Sequence, residues 1–167
     1  MNKTLFVFLL SISMLSLRAQ NLDSLYSVWQ DETKPDTIRV NAYNNYIWNG
    51  YLYSRPDTAE VLAEALHAYA KTQQYPKASV VGYNLQGIAN HIQTNYPRSL
   101  DYFEKGIAIM KEIGDIKGIA GALHNIAQIH ILQANYSHAL EYLEKARVMN
   151  VKQGNNKWLA NNLIAIG

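Results

Sequence analysis

Residues 95–105 read Asn95-Tyr96-Pro97-Arg98-Ser99-Leu100-Asp101-Tyr102-Phe103-Glu104-Lys105. Forty residues on, the chain reads Asn135-Tyr136-Ser137-His138-Ala139-Leu140-Glu141-Tyr142-Leu143-Glu144-Lys145. Six of the eleven positions are identical, and Ser/Ala, Asp/Glu and Phe/Leu are close exchanges. Self-similarity at a fixed interval of this size is the mark of a repeat protein, in which each unit buries its apolar face only by stacking on its neighbours. The period therefore decides how the rest of the chain is read.

A register of 40 aligns Tyr43, Tyr83, Leu123 and Leu163; Ile47, Gly87, Ala127 and Gly167; and Ala59, Ser99 and Ala139. The last column is small throughout and the second is small except at Ile47, which predicts two helices in close approach there. Ala63, Phe103 and Leu143, four residues after the third column, belong to the next turn of the same helix face. Gly114 and Gly154 can adopt the left-handed backbone that ends a helix, and Asp115 and Asn155 are good starts for the next. Asp57 with Glu60 has capping-box spacing, and Pro97 suits a first helical turn. Helices are predicted over 37–54, 57–73, 78–94, 97–113, 117–134, 137–153 and from 156 on. No stretch alternates apolar and polar residues for long enough to predict a strand. Tyr43, Tyr83, Tyr96 and Tyr136 recur with the period and are read as core residues of the repeat.

The pattern Leu123, Ile126, Ala127, His130, Tyr136, Ala139, Leu143, Ala146 resembles the tetratricopeptide repeat, over about residues 36–167. The resemblance implies an all-α fold, a right-handed superhelix of antiparallel helix pairs, with units at about 36–75, 76–115 and 116–155 and a partial unit at 156–167. The interval here is 40 residues rather than the usual 34, and Gly114 and Gly154 stand where the family has a late proline. Ile47 and the run Trp48-Asn49-Gly50-Tyr51 make the first unit the most divergent. The order of segments also resembles the N-terminal sensory region of bacterial signalling proteins whose repeats precede a histidine kinase, nucleotide cyclase or DNA-binding module. Those segments are Asp23–Trp29, Lys34–Thr37, Tyr51–Ala59 and Lys111–Ala120.

Ahead of the repeats, Met1-Asn2-Lys3 is followed by an apolar run from Leu5 to Leu10 and a serine-spaced tail to Leu17. This is the layout of a secretory signal peptide over 1–19, with cleavage near Ala19 and export as the expected fate; an uncleaved anchor is the alternative. Residues 20–35 read as a short capping helix and linker, with Trp29 suited to cover the open end of the first unit.

Half the chain is apolar (49%) and 17% is charged, the balance of a folded domain. Without Lys3 and Arg18, 13 basic residues face 13 acidic ones, which leaves no electrostatic footprint for nucleic acid. There is no cysteine, so no disulfide, thiolate metal site or cysteine nucleophile. His67, His91, His124, His130 and His138 lack the spacing of a helical metal pair, and Gly82–Gly87 lacks the lysine and hydroxyl of a phosphate loop. No catalytic set, metal or cofactor site is expected.

In the family the first helix of each unit lines the concave face. The register then assigns to that face Asn44, Trp48 and Tyr51, next Asn84, Ile88 and His91, and last His124, Gln128 and Ile131. The expected function is capture of a protein or peptide segment there, with no bond made or broken. The lysine and asparagine pairs by which some family members clamp a terminal carboxylate are not at matching positions. An assembly module that self-associates through the apolar helix at 156–167 is the alternative, and an enzyme the remote one. The residues 1–167 are expected to be part of a longer protein.

Overall fold

A computed structural model describes residues 20–152, and among them the chain is all helical, without strands. Residues 20–30 form α1. Then come α2 (Asp36–Ile47), continued by a π-helical turn (Trp48–Leu52), α3 (Pro56–Thr72), α4 (Pro76–Ile92), α5 (Tyr96–Glu112), α6 (Ile116–Leu132) and α7 (Tyr136–Lys152). The expected helix from 156 onward, and the expected signal segment at 1–19, lie outside the described residues. From α3 to α7 every helix has 17 residues and starts 20 after the one before. The half-period is thus as strict as the period.

The turns explain that regularity. Gln74, Thr94, Gly114 and Ala134 all take left-handed backbone, with φ of 52°, 59°, 71° and 58°. The amides of Tyr75, Asn95, Asp115 and Asn135 reach back to the carbonyls of Ala70, Asn90, Met110 and His130 at 2.8–2.9 Å. This is the Schellman closure, which satisfies the last carbonyls and reverses the chain within three residues. Only Gly114 is a glycine; the other three accept a conformation that costs an L-residue about 1 kcal/mol. At the helix starts, Pro56 and Pro76 open α3 and α4, Pro97 lies in the first turn of α5, and the Asp115 carboxylate caps α6 by accepting from Gly118 N at 2.9 Å. The capping box expected at Asp57 and Glu60 does not form. Pro56 sets the start of α3 instead, and Glu60 turns to Arg98 and Tyr102.

Consecutive helices pack on one another, as a three-residue reversal requires. The small columns lie where they meet. A Cβ on Gly87 would stand 2.7 Å from the Phe103 ring, and Ser99 donates its hydroxyl to the Gly87 carbonyl at 2.7 Å. Ala59, Ala63, Ala127, Ala139, Phe103 and Leu143 are all buried. One core cluster runs through α2, α3 and α4 with Trp29 from α1, a second through α5, α6 and α7, and Ile88 touches both. Trp29 stacks on Tyr43 (4.5 Å) and leans on Tyr69 (4.7 Å).

Of the four recurrent tyrosines, Tyr43 is buried and Tyr83 and Tyr96 are half-buried, but Tyr136 is 63% exposed. Tyr96 leans toward the His91 ring at 6.1 Å. At the equivalent step in the next unit Ile131 replaces that ring, and Tyr136 turns outward.

Candidate functional site

The described residues enclose one extended cleft on the side formed by α2, α4 and α6. Asn41 and Asn44 of α2, Val80, Val81 and Asn84 of α4, and Gly118, Gly121, Ala122 and Asn125 of α6 line a hollow of about 350 Å³, with Met110 at its floor. Asn41, Val80 and Val81 also line a second hollow of about 430 Å³ that runs to the first turns of the helices, where it meets Thr37, Tyr75, Lys77 and Asp115. The two are therefore continuous. Helical spacing brings this about: residues 41 and 44, 81 and 84, and 121 and 125 recur at three or four and so share a face.

The chemistry of the lining is mostly neutral. An asparagine amide offers two donors and an acceptor, and none of the amides of Asn41, Asn44, Asn84 and Asn125 is hydrogen-bonded to another described residue. Val80 and Val81 supply apolar surface. A Cβ added at Gly121 would meet nothing within 4 Å, so the hollow opens directly over this backbone.

Of the nine residues assigned to the concave face, the structure places Asn44 and Asn84 in this cleft. Trp48 is at the surface, edge-on to Tyr53 at 6.1 Å. Tyr51 is carried elsewhere by the π-helical turn. A wider i→i+5 turn rotates the residues after it relative to a regular helix. It brings the Tyr51 hydroxyl 2.8 Å from that of Tyr46, with the Arg55 guanidinium over its ring at 4.8 Å. Ile88 is wedged between the two cores. His91 is half-buried near Tyr96, and burial holds its pKa below the usual histidine value. His124, Gln128 and Ile131 are half-buried on α6, outside the lining of the hollow. Asn41, Val81, Gly121 and Asn125 line the cleft but were not among the nine. The signal was in the register, because 41, 81 and 121 form a column one turn ahead of 44, 84 and 124.

At the α1 end lies a cluster of rings. Tyr26, Trp29, Tyr43, Tyr46, Tyr51 and Tyr69 stand within 4.5–6.4 Å of one another in successive pairs. Burial, with Tyr26 and Tyr51 nearby, pushes the Tyr43 phenol up to about 12. Burial and a hydrogen bond to Asp36 at 2.6 Å push Tyr69 up to about 12 as well. These phenols stay protonated at any ordinary pH and serve as packing and hydrogen-bond donors.

Among the described residues no three His, Cys, Asp or Glu side chains are placed to hold a metal, and no helix is long and apolar enough to cross a membrane. Neither the protein-family models nor the curated proteins yield a match to this chain.

Proposed function

We propose that this chain is a scaffold of the tetratricopeptide type, a right-handed superhelix of helix pairs that holds an extended segment of a partner protein along the α2/α4/α6 face. One observation carries the reading: four unengaged asparagine amides share a continuous, nearly neutral cleft that crosses three helices. Such amides can bond to a peptide backbone from both its donor and acceptor sides, while Val80 and Val81 take up apolar side chains. Binding of this kind needs no titrating group. With an exported N-terminal part, the scaffold would serve as the sensory or interaction portion of a signalling protein outside the cytoplasm.

The probe for this reading is a displayed pool of random dodecapeptides panned on the purified chain. The expected result is enrichment that is lost in Asn44→Ala/Asn84→Ala and in Gly121→Leu, whose Cβ meets nothing within 4 Å and whose side chain then takes up space in the cleft. Enrichment that survives both variants and disappears in Trp48→Ala/His91→Ala would move the site to the surface chosen from the register alone. No enrichment would overturn the reading.

A second reading, self-association, is favoured by the exposed apolar side chains of Leu132, Tyr136, Leu140, Val148 and Val151 near and along α7. Light scattering across a range of concentrations checks it: a constant monomer mass removes it.

A further inference from the structure

The junctions between successive units are built alike in backbone and differently in side chains. Where α3 meets α4 and α5, directional polar contacts pin the helices. Glu60 pairs with Arg98 at 2.7 Å and accepts from the Tyr102 hydroxyl at 3.0 Å, while Arg98 donates to that same hydroxyl at 3.2 Å. Beside it, fully buried Gln86 bonds to His67 Nε2 at 2.9 Å and donates to Glu64 at 2.6 Å. Each of these contacts weakens steeply when one helix slides on the other, because hydrogen bonds depend on distance and angle.

Forty residues on, Leu100 stands for Glu60, His138 for Arg98, Ile107 for His67 and Ile126 for Gln86; only Glu104 and Tyr142 repeat their counterparts. Where α5 meets α6 the filling is Ile107, Met110, Ile119, Leu123 and Ile126. Dispersion contacts between such side chains are non-directional, and methionine adapts to a shifted neighbour. This seam also has a hollow on both sides. The cleft lies on one, and on the other a cavity of about 450 Å³ is bordered by Ile107, Ile119, Leu123, Tyr142 and Met149. The pinned junction also borders a hollow, of about 350 Å³ at His67, Lys71, Pro76 and Ser79, so it is the apolar filling rather than the free volume that sets the α5–α6 seam apart.

We propose that the α5–α6 seam is the flexing joint of the scaffold: α6 and α7 shift together on α1–α5 and thereby widen or narrow the cleft, whose third wall is α6. The amplitude is that of ordinary helix shear, about 1–2 Å. Its consequence for peptide uptake rests on the cleft reading above; the motion itself does not.

The chain has no cysteine, so pairs of spin labels can be placed cleanly. Val61, Asp101 and Glu141 are exposed and occupy the same position in three successive units. Labels at Val61→Cys/Asp101→Cys span the pinned junction, and labels at Asp101→Cys/Glu141→Cys span the apolar one. The expected distance distribution is wider for the second pair, by about the 1–2 Å of helix shear. Leu100→Glu/His138→Arg, with Tyr142 already in place, recreates the pin and narrows it. Glu60→Leu/Arg98→His removes the Glu60–Arg98–Tyr102 part of the pin and broadens the first pair. Equal widths in the parent chain, or a folded transplant whose width does not change, would overturn the joint; if the transplant fails to fold, the converse variant decides. Equal widths with peptide capture intact sink the joint alone, and lost capture with unequal widths sinks the cleft reading alone.

Discussion

The first junction, of α3 with α4 and α5, and the second, of α5 with α6 and α7, share turn geometry, helix length and small columns, yet one carries Glu60, His67, Gln86 and Arg98 where the other carries Leu100, Ile107, Ile126 and His138. Since the same backbone is reached with either set, the polar contacts are not what makes the helices stack. Schellman turns do that, with close packing at Gly82, where a Cβ would stand 2.9 Å from His67 and 3.2 Å from the Ala63 carbonyl, and at its buried counterpart Ala122. What the polar set adds is resistance to sliding, which apolar packing supplies weakly. The difference separates two properties that are often confounded, the fold of a junction and its stiffness.

The comparison is broken most severely by exchanging the buried centre of each junction. Ile126 is 1% exposed and Gln86 fully buried. Ile126→Gln gives up an isoleucine's burial and buries an amide at a site where Ile107 replaces the histidine partner. A loss of about 3–5 kcal/mol is expected in chemical denaturation. Gln86→Ile leaves His67 Nε2 without its partner but adds apolar burial, and about 1–3 kcal/mol is expected. Equal losses would show that the two sites are alike in kind.

The glycines sharpen it at a smaller scale. Gly87→Ala drives a methyl into the Phe103 ring, an overpacking that costs about 1–3 kcal/mol and outweighs the gain in helix propensity. Gly121→Ala meets nothing and keeps that gain, so a stabilisation of about 1 kcal/mol is expected. Thermal unfolding of the two variants should move in opposite directions. A drop in both would mean that the space over Gly121 is filled in solution.

Helices and small columns were legible because they repeat: a constraint that returns every 40 residues marks itself in a single sequence, whereas of the four left-handed turns only the one at Gly114 was, since Gln74, Thr94 and Ala134 carry no glycine to announce it. The π-helical turn at Trp48–Leu52 was not legible, since it occurs once, and it diverted Tyr51 from the face to which regular helical spacing had assigned it. Glu60 was misread for a related reason. Local spacing to Asp57 suggested a cap, whereas its partners Arg98 and Tyr102 come from a different unit. The cleft was half legible. Asn44 and Asn84 came directly from the register, but how far the hollow extends toward the helix starts depends on how closely α2, α4 and α6 approach, which no column encodes.

The smallest effect expected is a pH dependence centred on the last two helices. His130 lies under Tyr142, with their rings 5.4 Å apart, and near His138. Burial first, and then the charge of His138, hold its pKa below the usual histidine value. The folded state therefore takes up this proton less readily than the unfolded chain, whose histidines titrate near pH ~6.5. Stability is accordingly complete above that pH and falls as the pH drops through it toward the folded pKa. His91 is shifted the same way by burial, so a fall in denaturation midpoint between neutral and mildly acid solution contains both contributions. His130→Phe keeps a ring against Tyr142 and deletes one of them, so its midpoint should fall less than that of the parent chain. An unchanged fall in His130→Phe would place the acid sensitivity elsewhere. With the drop intact in His91→Phe and reduced in His130→Phe, it belongs to the α6–α7 pair, where the His130 ring stacks with those of His138 and Tyr142.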